Sequence, residues 1–210
     1  MKAASLIAVG CILSGCGTQP ENYSVITGFT FPWSDKPAPR TSFNAFTDAE
    51  RLHFEFTAED DDLIIAPTWA GESTLDGEDR VEIFIARDAA LRDYYCIEID
   101  ALGRVHDYAA RHYRKFDSNW DCAGLQTAAR RTASGYVVSG SLPLATLGAL
   151  TGKPVTRGST IRIGLFRAEF YGKGSRTHGD AADNWLSWVR PDTPQPDFHV
   201  PSAFRDWRVP

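Results

Sequence analysis

Arg80 and Glu82 stand two residues apart in Asp79-Arg80-Val81-Glu82, so in an extended chain a guanidinium and a carboxylate project from one face while Val81 and Ile83 project from the other. Such a pair is either a surface salt bridge or a matched donor and acceptor set for a polar ligand. Asn184, directly before Trp185, adds a side chain that both donates and accepts. Arg167 adds a second guanidinium, whose stem is equally suited to packing on strand neighbours. Six tryptophans, seven tyrosines and twelve phenylalanines exceed what a core of this length needs, which leaves aromatic surface for a ligand. Trp69 lies in the loop before Asp79. Trp185 and Trp188 fall on opposite faces of one strand, so only one of that pair reaches a ligand, and the sequence leaves open which.

Other reactive types carry less. The run Glu59-Asp60-Asp61-Asp62 reads first as a solvated turn, because its spacing is not that of an EF-hand loop. His53, His106, His112, His178 and His199 are scattered without zinc spacing, and there is no Gly-x-Ser-x-Gly elbow or phosphate loop. A formal net charge of −5, with both signs mixed along the chain, gives no nucleic-acid footprint.

The amino-terminal run Ala3 to Leu13, flanked by Lys2, is too short to cross a bilayer as a permanent helix and reads as a cleaved export segment over residues 1–15. It ends in Leu13-Ser14-Gly15-Cys16, which resembles the lipobox of bacterial lipoproteins. The resemblance implies that Cys16 becomes a lipidated amino terminus that tethers the chain to a membrane surface. Gly17 after it, in place of Asp, points to the outer membrane. Disulfides persist outside the cytoplasm. With Cys11 in the leader and Cys16 taken by lipid, Cys96 and Cys122 remain, and parity predicts one bridge between them. A loop of roughly two dozen residues closed in this way would add on the order of 3 kcal/mol.

These residues need a scaffold, and the patterning predicts an all-β one. Residues 16–40 mix Pro, Ser, Asp and Asn with isolated aromatics and read as a tether lying along the domain edge. The domain follows over 41–210. Leu52 to Phe56 alternates apolar with polar, and Val81 to Ile85 is more apolar and central. Further strands are predicted at Tyr94 to Asp100, Val105 to Arg111, Leu125 to Thr132, Tyr136 to Leu142, Thr160 to Phe170, Trp185 to Val189 and near Trp207. Only Leu144 to Leu150, after Pro143 and before Gly152, has helical character. Without crossover helices the strands must be mostly antiparallel, and two sheets packed face to face, in a jelly-roll-like sandwich, is the expected fold.

Several blocks in order then match one family: Asp79-Arg80-Val81-Glu82-Ile83-Phe84, Tyr95-x-Ile97-Glu98-Ile99-Asp100-x-x-Gly103, Gly135-Tyr136-Val137-Val138, Leu142-Pro143-Leu144, Gly164-Leu165-Phe166-Arg167, and Trp185-x-x-Trp188 followed by Asp197-Phe198-His199-x-Pro201-x-x-Phe204. From Thr41 onward the chain resembles a carbohydrate-binding module of family 9. The resemblance implies non-catalytic binding of glycan ends by an extracytoplasmic lipoprotein that serves polysaccharide capture or catabolism, with a glycoside hydrolase as possible partner. It also implies a sugar held between Trp69 and either Trp185 or Trp188, with Arg80, Glu82, Arg167 and Asn184 bonding hydroxyls. Structural calcium through Asp60 or Asp62 is a further implication. Two alternatives stand beside it. One is a haem-binding electron-transfer domain of the related DOMON sandwiches, for which the Met and His pairing is lacking because Met1 leaves with the leader. The other is a glycoside hydrolase, which needs two carboxylates flanking a cleft.

Overall fold

A computed structural model describes residues 23–172 and 182–210. The expected leader and the lipidation site Cys16 lie outside the described residues, as does His178. Among the described residues no helix is long and apolar enough to cross a membrane.

The chain folds into two antiparallel sheets. The first contains β1 (Tyr23–Ile26), β2 (Thr41–Thr47), β3 (Arg51–Glu59), β9 (Gly135–Pro143) and β8 (Gln126–Thr132), in that spatial order. The second contains β11 (Trp185–Ser187), β10 (Thr160–Ala168), β4 (Arg80–Ala86), β5 (Tyr94–Asp100), β6 (Val105–Arg111) and β7 (Lys115–Asp117), with β12 (Arg205–Arg208) pairing the first half of β10. The one α-helix, α1 (Leu144–Thr151), starts after Pro143 and stops at Gly152, which takes a φ of 70° that a side chain would disfavour. The segment read as tether is partly built into the sandwich: β1 extends the first sheet, and Phe29 and Phe31 are buried.

Period two explains where the core lies. Phe43, Phe54, Phe56 and Val138 from the first sheet meet Val81, Ile83, Ile97, Ile99, Ile163 and Leu165 from the second. Alternate residues of the second sheet face outward, and these are also buried. Phe84, Tyr94, Cys96, Tyr108 and Phe166 form a second apolar cluster, covered by Phe198 and Phe204 from the carboxyl-terminal segment. All seven residues of β4 are therefore buried, the charged Arg80 and Glu82 included.

This two-sided burial corrects the expected disulfide. Cys96 and Cys122 are both free and buried. Cys96 lies in the outer cluster, between Phe84 and Tyr108 in the strand register, whereas Cys122 belongs to the core between the sheets. The second sheet stands between the two thiols, which parity cannot reveal.

Candidate functional site

The outer face of the second sheet holds a hollow of about 450 Å³. Its floor is built by register. Glu82 on β4 pairs directly with Glu98 on β5, and Glu98 pairs with His106 on β6, so three polar side chains line up across adjacent strands. Arg80 lies on the same face as Glu82, its Nη2 3.0 Å from Glu82 Oε1 and its Nε 2.7 Å from Glu98 Oε2. Arg80 Nη1 donates to the Leu75 carbonyl at 2.9 Å, which ties the turn Glu72–Gly77 over the end of the floor and brings Asp76 to the rim.

The walls are aromatic. Trp185 on β11 is partly buried and held edge-on by Phe170 (6.0 Å, 77°) and Phe198 (5.8 Å, 88°), with the Arg80 guanidinium 5.6 Å from its ring centre. Phe198 in turn stacks on Phe166 at 4.0 Å. Phe166 can lie there because residue 164 is glycine; a Cβ at Gly164 would meet the Phe166 ring at 2.4 Å. Tyr108 donates to Glu98 Oε1 at 2.9 Å, and Phe84, Phe116 and His199 complete the opposite side.

The electrostatics follow from two carboxylates sharing one guanidinium away from water. Burial first, then the nearby Glu98 charge, pushes the Glu82 carboxyl up to about 8 against the pull of Arg80. Burial also opposes the charge on Arg80, but Glu98 and Glu82 more than restore it, so Arg80 stays ionised. For His106, burial is outweighed by Asp76, at 3.3 Å, and by Glu98, so its proton is held above the usual range. His199 is the opposite case: burial and then Arg114 push it down to about 3, so it is neutral and bonded through Nδ1 to Tyr94 Oη at 3.0 Å. The Arg80 contacts satisfy charge but not hydrogen bonding. Glu82 Oε1 and Glu98 Oε2 are buried and accept no hydrogen bond from the described residues. Aromatic faces over acceptor-rich carboxylates can hold an apolar ring that carries several donors.

Of the residues expected to bind a sugar, Arg80, Glu82 and Trp185 line this hollow. The others do not. Trp188 packs against the core between the sheets, with Arg205 5.7 Å over its ring, which settles which of the two indoles faces outward. Asn184 is buried, and its Nδ2 donates to the Glu169 carbonyl at 2.6 Å, closing the end of β10. Trp69 is exposed on the loop before β4, stacked on Arg104 at 5.2 Å, and is not part of the hollow's lining. Sequence reasoning missed Glu98, His106, Tyr108 and Asp76. The available signal was the period of β5, which puts Glu98 on the outer face; its pairing with Glu82 needs the register.

Arg167 occurs one register position inward, opposite Val81 and Leu186, and so points between the sheets. Fully buried, it contacts Glu169, reaches Asp60 at 3.4 Å and donates to Thr41 Oγ1 at 3.1 Å on the other sheet. Asp60, Asp79 and Glu169 bring carboxylate oxygens within 4.8 Å of one another here. Burial pushes Asp79 up to about 7 and Glu169 up to about 8. Asp62 is not part of this group; its Oδ2 accepts from the Gly172 N–H at 2.6 Å. The cluster fits a hard divalent cation by charge, because three buried carboxylates face one guanidinium. The buried Tyr136 hydroxyl, beside Arg167, also lacks a hydrogen-bond partner among the described residues.

The fold is thus a two-sheet sandwich with an aromatic and acidic hollow on one outer face, and its likeness to known proteins gives the class. The carbohydrate family 9 binding domain-like pattern matches residues 21–205, so the chain belongs to that family. The fold is similar to that of a Bacteroides uniformis protein proposed to bind carbohydrate, with a TM-score of 0.65 and 16% identity over 89% of this chain and 86% of that one. It is similar also to a family 9 carbohydrate-binding module from Caldicellulosiruptor kristjanssonii. The glucose complex gives a TM-score of 0.57 at 14% identity over 88% and 84% of the two chains, and the cellotriose complex 0.58 at 15% over 88% and 82%. No curated protein matches the chain.

Proposed function

We propose that this protein binds a glycan in the outer hollow without cleaving it. The observation that carries the reading is Trp185, an indole held upright by Phe170 and Phe198 beside two carboxylates, each with one buried oxygen, Glu82 Oε1 and Glu98 Oε2, that accepts no hydrogen bond among the described residues. One sugar ring supplies both a C–H face for the indole and hydroxyl donors for Glu82 and Glu98. The family supports carbohydrate as the ligand class. In this reading the chain is anchored by a lipidated Cys16 at the bacterial outer membrane and captures polysaccharide for catabolism, next to a glycoside hydrolase. A calcium ion held by Asp60, Asp79 and Glu169 is a structural element of the sandwich, offsetting the surplus charge around Arg167.

Calorimetric titration of the chain with glucose and cello-oligosaccharides tests the reading. Binding that Trp185→Ala weakens sharply while cooperative unfolding persists is the expected result. Affinity unchanged by that substitution, or no binding across a glycan array, would refute it. Radiolabelled palmitate incorporation that disappears in Cys16→Ser tests the anchor separately.

A further inference from the structure

The sealed carboxylate cluster and the hollow are built back to back on the same three strands. In the register of β11, β10 and β4, Trp185 pairs with Ala168 and Ala168 pairs with Arg80. This row faces the hollow, and the short side chain of Ala168 lets the Arg80 guanidinium and the Trp185 ring meet across it at 5.6 Å. One position beyond the row come Asn184, Glu169 and Asp79. The Glu169 N–H donates to the Asn184 carbonyl at 2.8 Å, and Asn184 Nδ2 returns a bond to the Glu169 carbonyl at 2.6 Å. Successive residues turn to opposite faces, so Asp79 and Glu169 point inward to Asp60 and Arg167, while their chain neighbours Arg80 and Phe170 meet Trp185 on the outer face.

Hydrogen bonds join the two faces as well. Asp79 Oδ1 accepts from the Phe170 N–H at 2.6 Å, and Asp62 Oδ2 accepts from the Gly172 N–H at 2.6 Å, so carboxylates hold the backbone on both sides of Tyr171. The Phe170 ring is 1% exposed and keeps Trp185 edge-on. Asp79 Oδ2 accepts from the Ile64 N–H, and each Asp79 oxygen retains a lone pair for a further ligand. The Tyr136 hydroxyl, buried beside Arg167, has no hydrogen-bond partner among the described residues, and the three carboxylates bring oxygens within 4.8 Å of one another. A divalent cation that takes oxygen ligands satisfies both features at once.

We propose that the two sites are coupled: a divalent cation held by Asp60, Asp79 and Glu169 tightens sugar binding in the hollow, acting through Phe170 to fix the indole of Trp185. This rests on the readings that the hollow binds a sugar and that the cluster binds an ion. Ligation draws Asp79 and Glu169 to one centre and ties the adjacent ends of β4 and β10 together directly behind the hollow. Phe170, hydrogen-bonded to Asp79 and covalently next to Glu169, is then held from two sides, and with it the ring that keeps Trp185 upright. The ion orders this wall before the sugar arrives, so less freedom is lost when the sugar binds. Linkage requires the reverse: sugar in the hollow tightens the ion by the same factor.

Calorimetric titration of the full chain with cellotriose, in calcium and in chelator at matched ionic strength and well below the unfolding temperature, decides the matter. A pH of about 9 keeps protons off Asp79 and Glu169, which burial raises to about 7 and about 8, so the two conditions compare ion with no ion. Calcium is expected to tighten cellotriose by about fivefold or more, and cellotriose to tighten calcium by the same factor. Equal cellotriose affinity in the two conditions, in a chain that binds calcium, overturns the coupling and leaves both readings intact. Cellotriose binding without calcium binding overturns the coupling together with the ion reading. Absence of cellotriose binding in both conditions overturns it together with the sugar reading. Phe170→Leu keeps the N–H that bonds Asp79 and removes the ring, so the calcium effect on cellotriose should fall below about twofold. An undiminished effect in the folded variant overturns the route through Phe170. The comparison on the unaltered chain needs no variant and stands by itself.

Discussion

The two buried arginines of this sandwich stand in similar charge environments and serve different ends. Arg80 is shared by Glu82 and Glu98, and Arg167 lies among Asp60, Asp79 and Glu169; in both places carboxylates outnumber the guanidinium. They differ in what lies beyond. Arg80 faces outward from its sheet, next to a solvent-connected hollow walled by Trp185. Arg167 faces inward and crosses to Thr41 on the opposite sheet, with no exposure. An excess of carboxyl groups beside a solvent-connected hollow can be completed by protons or by a ligand that comes and goes. The same excess sealed between sheets has to be completed permanently, by protons or by a bound ion.

The largest effect should come from the sealed site. Arg167→Met leaves three buried carboxylates without their cation and should cost about 3–5 kcal/mol in urea unfolding. A loss below about 1 kcal/mol would mean that the cluster is already neutral. Next comes the ion. Calcium at a hundredfold excess over its Kd should stabilise the chain by about 2.7 kcal/mol, and chelation should remove that gain. Equal melting temperatures with calcium and with chelator would argue against the site.

The same cluster sets a pH dependence. Glu169 and Asp79 have folded-state values raised by burial, so each binds its proton more tightly folded than unfolded. The chelated chain is therefore favoured below the ordinary carboxylate range and loses stability as pH rises through about 7 to 8, by at most about 1.4 kcal/mol per pH unit for each proton released. Calcium, which replaces those protons, should flatten the slope. A chelated chain that grows more stable between pH 5 and 8 would invert the argument.

At the open site the effect should appear in binding more than in folding. Trp185→Ala is expected to lower sugar affinity by about 2 kcal/mol, roughly 30-fold, in calorimetric titration. Trp69→Ala, an exposed ring outside the hollow, should change stability by less than about 0.5 kcal/mol and leave the affinity for a single sugar ring unaltered. A Trp69 effect equal to that of Trp185 would extend the site onto the loop. The smallest signal is in the thiols: after unfolding without reductant, both Cys96 and Cys122 should be alkylated.

The strands most legible in the sequence were those with the strongest pattern. The bounds expected for Tyr94–Asp100 and Val105–Arg111 agree with β5 and β6, and Leu144–Thr151 extends the expected helix by one residue. β7 is three exposed residues with no alternation to detect, and it exists because β6 offers a free edge. β1 was hidden in a segment whose prolines and polar residues resemble a linker. The site was legible only by halves. Period two put Arg80 with Glu82 and separated Trp185 from Trp188, yet it could not say which face was open, because both faces of the second sheet are buried apolar surfaces.

Composition, alternation and the ordered family blocks were enough, read along the chain, to establish an antiparallel sandwich and the family to which it belongs, since both depend on local spacing. Only the packed structure decided that Glu98 stands beside Glu82, that Arg167 serves the interior while Arg80 serves the hollow, and that a whole sheet lies between two cysteines. Those outcomes depend on register and on which face each strand turns to its neighbours. They are relations between distant segments that no single segment encodes by itself.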